Sequence, residues 1–444
     1  MKKVLQITLC VALGAPITAL AQQTADSPPT TQAGSTVAED HHLLTGVHDL
    51  TLGSPEGGRN VLTPSLSVMQ DVDSNGYSST SAVGWEPLTM LGGSLGLERS
   101  GKRDSLQLQY VGNGSIYETN SSLNTFWHSL GFNNELSLGR ASLLLTDSFS
   151  YSRQATFGAN YAPFAGTSNT DLNAGLLPNQ SVLTPLGDRI GNAAAAEIDY
   201  HLSREDSITA SFTQSMLHFL EGSYLNSNQL GFQSGYNRQI RHHTIGLSYG
   251  YQQWTFGDIS LEGRTHTAQL SYGYRITSRL AFQASAGPQI AEFNLGVPRQ
   301  VGLSSSVALH YQMRASDLAV TYNHGLSGGA GVLATAKSDT VAGNLTRRIS
   351  RRWSGAFSAA YSRNSAISGF GAFNLLGASS LYNTITVGAV VTHDISADKQ
   401  LVFSYQVQDQ VTGTFTAPGA PPFQLVRHLI GAGLTWHMRP IHLQ

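Results

Sequence analysis

The sequence predicts an all-β fold: a transmembrane, antiparallel up-and-down β-barrel of about 18 strands, within a range of roughly 16–18. Three observations carry that expectation. From about position 60 onward, apolar and polar residues alternate in segments of roughly 9–14 residues. The connectors between these segments alternate in length, short and then long. Charged residues make up only 12% of the 444 residues, about half the ~25% usual in soluble domains.

The alternation has period 2 throughout. Leu62, Pro64, Leu66 and Val68 alternate with Thr63, Ser65 and Ser67. The same pattern holds for Leu106, Leu108 and Tyr110, for Ile208, Ala210 and Phe212, and for Leu401, Phe403, Tyr405 and Val407. A helix would repeat its apolar residues at i, i+3 and i+4, and these segments do not. "NAAAAEIDYHL" (192–202) is the one stretch that also reads as helix.

Short connectors fall at 100–105, 139–141, 203–207, 241–243, 277–279, 314–317, 350–352 and 396–399. Longer ones fall between them, at 71–84, 117–124, 153–190, 218–228, 256–262, 289–300, 326–336, 363–379 and 411–423. Outer-membrane barrels sort their loops this way, with short periplasmic turns and long extracellular loops. Charges collect in the short turns, as suits strands that face lipid, where Arg or Lys at mid-depth costs roughly 2–4 kcal/mol. In lipid, closure into a barrel pairs every backbone N–H and C=O. The polar face carries Ser, Thr, Gly, Gln and Asn rather than Lys and Glu, as suits a water-filled lumen. Trp85, Trp127, Tyr151, Trp254, Trp353 and Trp436 lie near strand ends and suit interfacial girdles.

The N-terminus reads as a secretory signal peptide, residues 1–21. Lys2 and Lys3 precede an apolar stretch, and Ala19-Leu20-Ala21 forms an A-x-A site with cleavage near Ala21. The only cysteine, Cys10, lies inside it, so no disulfide is expected in the mature chain. Residues 22–59 read as a flexible periplasmic lead-in rich in Thr, Ser, Pro, Ala and Gly. The barrel is expected over 60–438, with 439–444 as a tail. The near balance of 26 basic and 28 acidic residues gives no nucleic-acid footprint.

Motifs of catalysis occur and fall in the wrong places. G-x-S-x-G appears around Ser94 (92–96) and Ser248 (246–250). The nucleophile elbow needs a strand, a sharp turn and a helix, whereas both matches lie inside alternating strands. "GLERSGKR" (96–103) approaches a P-loop, but Arg103 stands where Ser or Thr must hold magnesium. The pairs His41-His42 and His242-His243 lack Cys, Asp or Glu partners at ligand spacing. No catalytic residue, metal or cofactor is assigned.

Two sets of residues carry the functional reading. The longest connector, 153–191, joins the fifth and sixth expected strands and would be the third extracellular loop. Loops of this length are usually functional or disordered. Folded inward, it would narrow the lumen with Arg153, Tyr161, Phe164, Asp171, Asp188 and Arg189. The expected lumen face presents Gln107, Gln109, Gln269, Gln283, Gln406 and Gln408, with Glu197, Asp199 and Arg275 as rarer charges.

Over roughly 60–438 the chain resembles Gram-negative outer-membrane porins in architecture. The resemblance implies a passive channel for small hydrophilic solutes, embedded in outer-membrane lipid, with 153–191 in the place of the inward-folding third loop. Porin constrictions set acidic against basic clusters, and this loop is poor in charge, which argues against strong ion selectivity; the neutral lumen lining points to uncharged solutes such as sugars. Such barrels often end on an aromatic residue. Here Trp436 closes the last alternating segment and "HMRPIHLQ" follows. "LTPSLSVMQDVDSN" (62–75) is also similar to the opening strand of porin-like barrels associated with exopolysaccharide export. That resemblance implies an alternative role in export with periplasmic partners. An enzyme built on the barrel wall is a second alternative. Residues 22–59 are too few for the plug of a TonB-dependent receptor. The sequence leaves the oligomeric state open.

Overall fold

A computed structural model describes residues 60–76, 84–153, 187–220, 224–257, 260–294, 298–328, 335–367, 381–413 and 423–443. The expected signal peptide, the lead-in and His41-His42 lie outside them.

Strands follow one another with little else between. The first six are β1 (Asn60–Asp73), β2 (Glu86–Ser100), β3 (Asp104–Tyr117), β4 (Thr125–Leu138), β5 (Ala141–Ser152) and β6 (Arg189–His201). Next come β7 (Asp206–Phe219), β8 (Ser227–Ile240), β9 (His243–Phe256), β10 (Leu261–Thr277), β11 (Leu280–Phe293) and β12 (Gln300–Gln312). The last full strands are β13 (Ser316–Gly328), β14 (Thr335–Arg348), β15 (Trp353–Ala366), β16 (Leu381–Asp394), β17 (Lys399–Gly413) and β18 (Phe423–His437). Each pairs antiparallel with its neighbours in sequence. β18 returns to β1, from Ser65↔His437 to Asp73↔Leu429, and the sheet closes. The segment 192–201 is strand: β6 pairs along its whole length with β5 and β7, which overrides the helix propensity of its alanines.

The barrel wall continues past Trp436. Ile441–His442 forms a two-residue strand, β19, which pairs with Leu62 and Val61 of β1. Pro440 has no N–H to give the ladder, and the pairing resumes just beyond it.

Length and loop order match the spanning geometry. A 14-residue strand is about 46 Å long, and tilted by roughly 45° it spans about 33 Å, close to the ~30 Å hydrocarbon core. The short connections, such as 139–140 and 241–242, all fall at one end of the barrel. Leu138 pairs with Ala141 around a two-residue turn, and Gly139 supplies its positive φ of 79°.

Facing follows from burial. On β1, Leu66 and Val68 are exposed while Ser65, Ser67, Met69, Asp71 and Asp73 are buried. The first set faces outward and the second inward. The outward face is apolar around the wall: Leu91, Phe212, Leu247, Leu270, Leu303, Phe357, Phe403 and Ile430 are all exposed. A water-facing sheet would not leave such a belt uncovered. A lipid-facing barrel requires it. Asp147, outward at mid-strand on β5, is an exception; Asn192 Nδ2 donates to it at 2.6 Å. Among the described residues no helix is long and apolar enough to cross a membrane, which says nothing of strands.

The girdle expectation holds for some aromatics and fails for others. Trp85, Trp353 and Trp436 are exposed on the outside. Trp353 packs on His393 at 4.4 Å, and Trp85 lies 6.2 Å from His428. Trp254 faces inward and is 1% exposed. Trp127 pairs with inward-facing Asn113 and so also points inward. A strand end places a side chain at interfacial height, but strand parity decides which face it joins.

Candidate functional site: the inner wall

The register carries the inward face from strand to strand. Ser67 pairs with Gly92, and Gly92 pairs with Asn113, so the odd positions of β3 face inward, Gln107 and Gln109 among them. By the same parity Glu197 and Asp199 face inward on β6, and both are buried. Gln269 and Arg275 lie on the inner face of β10 and Gln283 on that of β11, where Gly273 pairs with Gln283. Gln406 and Gln408 lie buried on the inner face of β17.

These groups are held by hydroxyl and amide neighbours. Thr209 Oγ1 donates to Asp199 Oδ1 at 2.9 Å, and Asn237 Nδ2 donates to Thr209 Oγ1 at 3.4 Å. Gln269 Nε2 donates to Ser304 Oγ at 3.0 Å.

The inner wall carries charge that the sequence reading missed. Asp73 and Arg427 form a buried pair: Arg427 Nε donates to Asp73 Oδ1 at 3.0 Å and Nη2 donates to Oδ2. Tyr117 Oη also donates to Asp73 Oδ2, at 2.9 Å. Asp71 lies one inward step from Asp73. His310 Nε2 contacts Asp317 Oδ1 at 2.9 Å, and Gln400 Nε2 donates to Asp394 Oδ1 at 2.8 Å. The signal for Asp71 and Asp73 was present, because both continue the polar parity of Ser65 and Ser67. Their partner Arg427 lies 354 residues away and no local pattern finds it.

The wall is not uniformly polar. Met69, Leu88, Met90, Tyr117, Leu123, Val402 and Leu429 form one buried apolar cluster. Leu225, Trp254, Phe256, Leu261 and Ile367 form a second, joined by Phe293 and Leu326. The second draws on strand ends and connections at the long-loop end, while the first reaches from there to Val402, near the short turn before β17. Leu123 belongs to a short 3₁₀ turn, Ser121–Leu123, capped by Asn120, whose Oδ1 accepts from Ser122 N at 3.1 Å.

Of the candidates on the third loop, Tyr161, Phe164 and Asp171 lie outside the described residues. Arg153, Asp188 and Arg189 are its two feet. Arg153 Nη1 donates to Ser122 O at 2.9 Å and to Asn124 O at 3.3 Å, which ties this foot to the connection between β3 and β4. Arg153 Nε lies 3.9 Å from Asp188 Oδ1. Gly187 N donates to Arg153 O, and Leu220 N to Asp188 O. Arg189 points inward, is buried, and donates from Nε to Ser152 Oγ at 3.3 Å.

The catalytic motifs sit in plain strand. Ser94 Oγ and Ser65 Oγ share a 2.6 Å hydrogen bond across β2 and β1. Ser248 Oγ accepts from Gln233 Nε2 at 3.4 Å. Both serines lie within strands, β2 and β9, with no elbow. The P-loop-like stretch is the end of β2 and a turn into β3, with no helix. His243 stacks on Tyr274 at 4.6 Å and shares a 2.8 Å hydrogen bond with Tyr272 Oη. No group of three or more His, Cys, Asp or Glu able to hold a metal occurs among the described residues.

No family model matches the chain, and no curated protein matches it. Solved structures that align with it include OccK5 (OpdH) of Pseudomonas aeruginosa, at 10% identity and a TM-score of 0.41, over 86% of this chain and 98% of that one. The outer membrane protein OpdK of the same organism aligns at 8% identity and 0.40, over 86% and 99%. The siderophore receptor PirA of Acinetobacter baumannii aligns at 9% and 0.41, over 86% and 81%. At that level of likeness, function has to be read from this chain's own geometry.

Proposed function

We propose that this barrel is an outer-membrane channel through which small hydrophilic solutes diffuse passively. The observation that carries the reading is the division of its faces. The outside is a continuous apolar belt, and the inside is lined by Gln, Ser, Thr, Asn and scattered charges. Barrels of 16–18 strands enclose an aqueous channel. Inward side chains such as Gln107, Gln109, Gln269, Gln283, Gln406 and Gln408 would exchange hydrogen bonds with a solute as its hydration shell thins. Glu197, Asp199 and Arg275 would add fixed charge.

The third loop deepens the proposal. Its feet, Arg153 and Asp188–Arg189, are tied to the connections on either side, and Arg189 points inward. We read 153–191 as the segment that narrows the entrance. The leader 1–21 would be removed near Ala21, leaving 22–59 in the periplasm.

Swelling of liposomes loaded with the purified barrel tests the proposal. Swelling rates that fall steeply as the external sugar grows from a pentose to a trisaccharide are the expected result. Folded, inserted protein that gives no swelling with any sugar would reject free diffusion and favour an export role that needs periplasmic partners.

A further inference from the structure

Most inward carboxylates have a donor. Asp73 holds Arg427, Asp199 accepts from Thr209, and Asp394 accepts from Gln400. Asp71 has none. Its side chain is 0% exposed, and neither Oδ1 nor Oδ2 has a hydrogen-bond partner. An enclosed carboxylate without donor or counter-charge is among the costliest groups a fold can hold. Asp73 offers no relief, since Arg427 already balances it. In its ionised form Asp71 carries one negative charge that nothing on the wall balances.

A second unpartnered atom is aimed at the same place. Asp71 pairs with Gly431 of β18, and Gly431 pairs with Ser404 of β17. Gly431 has no side chain, and the space that one would fill is taken from both sides. Asp71 Oδ1 lies against the point where a Cβ would stand, and Ser404 Oγ lies 3.0 Å from it. Ser404 is 6% exposed and its Oγ has no partner. One inward step along β17, level with Asp73 through Leu429 and so next along the wall from Asp71, Gln406 is buried and its Oε1 also lacks a partner. Every unpartnered atom in this group is an oxygen.

We propose that Asp71, Ser404 Oγ and Gln406 Oε1 bind one hard metal cation on the inner wall, at the seam where the barrel closes. Carboxylate, hydroxyl and amide oxygens select Na⁺- or Ca²⁺-type ions, since Mg²⁺ keeps most of its waters, and the soft ligands that select zinc or copper are absent from the group. A monovalent ion balances the single charge and a divalent one exceeds it. The ion spans from β1 to β17 across β18, so it ties the first strand to the last hairpin. It binds the closed barrel and not the unfolded chain, and so stabilises closure by mass action. The site is independent of whether solutes pass through the lumen.

The test is thermal unfolding of the detergent-folded, full-length barrel at one fixed scan rate. Three salts of equal ionic strength are compared: choline chloride, NaCl and CaCl₂. Wild type should unfold at least about 2 °C higher in one of the metal salts than in choline chloride. Asp71→Asn, of equal shape, should unfold at the same temperature in all three. Ser404→Ala serves should the first variant fail to fold, and it should lose at least half of the shift. The salt that gives the shift identifies the ion. Wild type indifferent to all three salts would overturn the proposal, as would either folded variant keeping the full shift.

Discussion

Side-chain pairs that cross the closure seam give the sharpest tests at the scale of single residues. Replacing Arg427 with Ala would leave Asp73 charged and enclosed, and should cost about 3–5 kcal/mol. Urea unfolding of the folded barrel reads this directly, and a loss under about 1 kcal/mol would mean that the pair is solvated. Turn residues behave differently. Arg241 sits at φ 57° in the two-residue turn between β8 and β9. A side chain in that region costs roughly 1–2 kcal/mol, so Arg241→Gly should stabilise the barrel in the same urea titration. The sequence shows such residues unevenly. Gln406 and Gln408 stand out because their strand alternates cleanly. Trp127 and Trp254 look like girdle residues because nothing local reveals their parity. Arg427 looks like an isolated charge until closure brings β18 to β1.

Between strands, the glycines of β18 govern how closely the seam can pack. A Cβ on Gly433 would meet Met69 Cγ and the backbone carbonyl of Val68. The carbonyl cannot move aside without breaking the β1–β18 ladder. Gly433→Ala should therefore reduce the fraction of barrel that resists unfolding by detergent at room temperature on a gel, while Gly302→Ala, with open space around it, should not. The short turns carry a pH dependence. Ser396 Oγ donates to Asp398 Oδ1 at 2.6 Å, and this bond holds the Asp398 carboxyl below its usual range. Its small stabilisation is present above the ordinary Asp pKa and is lost as pH falls through the lowered value. Ser396→Ala should move the Asp398 titration midpoint upward by nuclear magnetic resonance in micelles; an unmoved midpoint would place the cause elsewhere. Strands and turns were the most legible level of this sequence. Period-2 alternation and the sorting of loop lengths report directly on lipid, lumen and side. The alanine-rich β6 was ambiguous because propensity and pattern disagreed, and pairing with two neighbours decided it. β19 was hidden by Pro440, which reads as a stop and acts as a brief gap in the ladder.

Across the whole molecule, the inner wall is more acidic than composition suggests. Among the described residues Asp71, Asp73, Glu86, Glu98, Glu135, Glu197, Asp199, Asp317 and Asp394 face inward by register, against Arg189, Arg275, Arg348 and Arg427. Fixed charge on an enclosed wall raises the local concentration of counter-ions. The channel should therefore prefer cations, and the zero-current potential across a tenfold KCl gradient should carry the sign of K⁺ permeation. A Glu197→Gln, Asp199→Asn double variant should bring it toward zero. The neutral lining expected from the sequence does not hold for the wall; these carboxylates are spread over separate strands, and no single stretch of sequence shows them together. Single-channel conductance of the detergent-purified protein in a planar bilayer tests the aqueous path most directly. Stable steps, partly blocked by added sugar and enlarged when 160–186 is deleted, are the predicted result. Silence from protein shown to be folded and inserted, with and without that deletion, would contradict it.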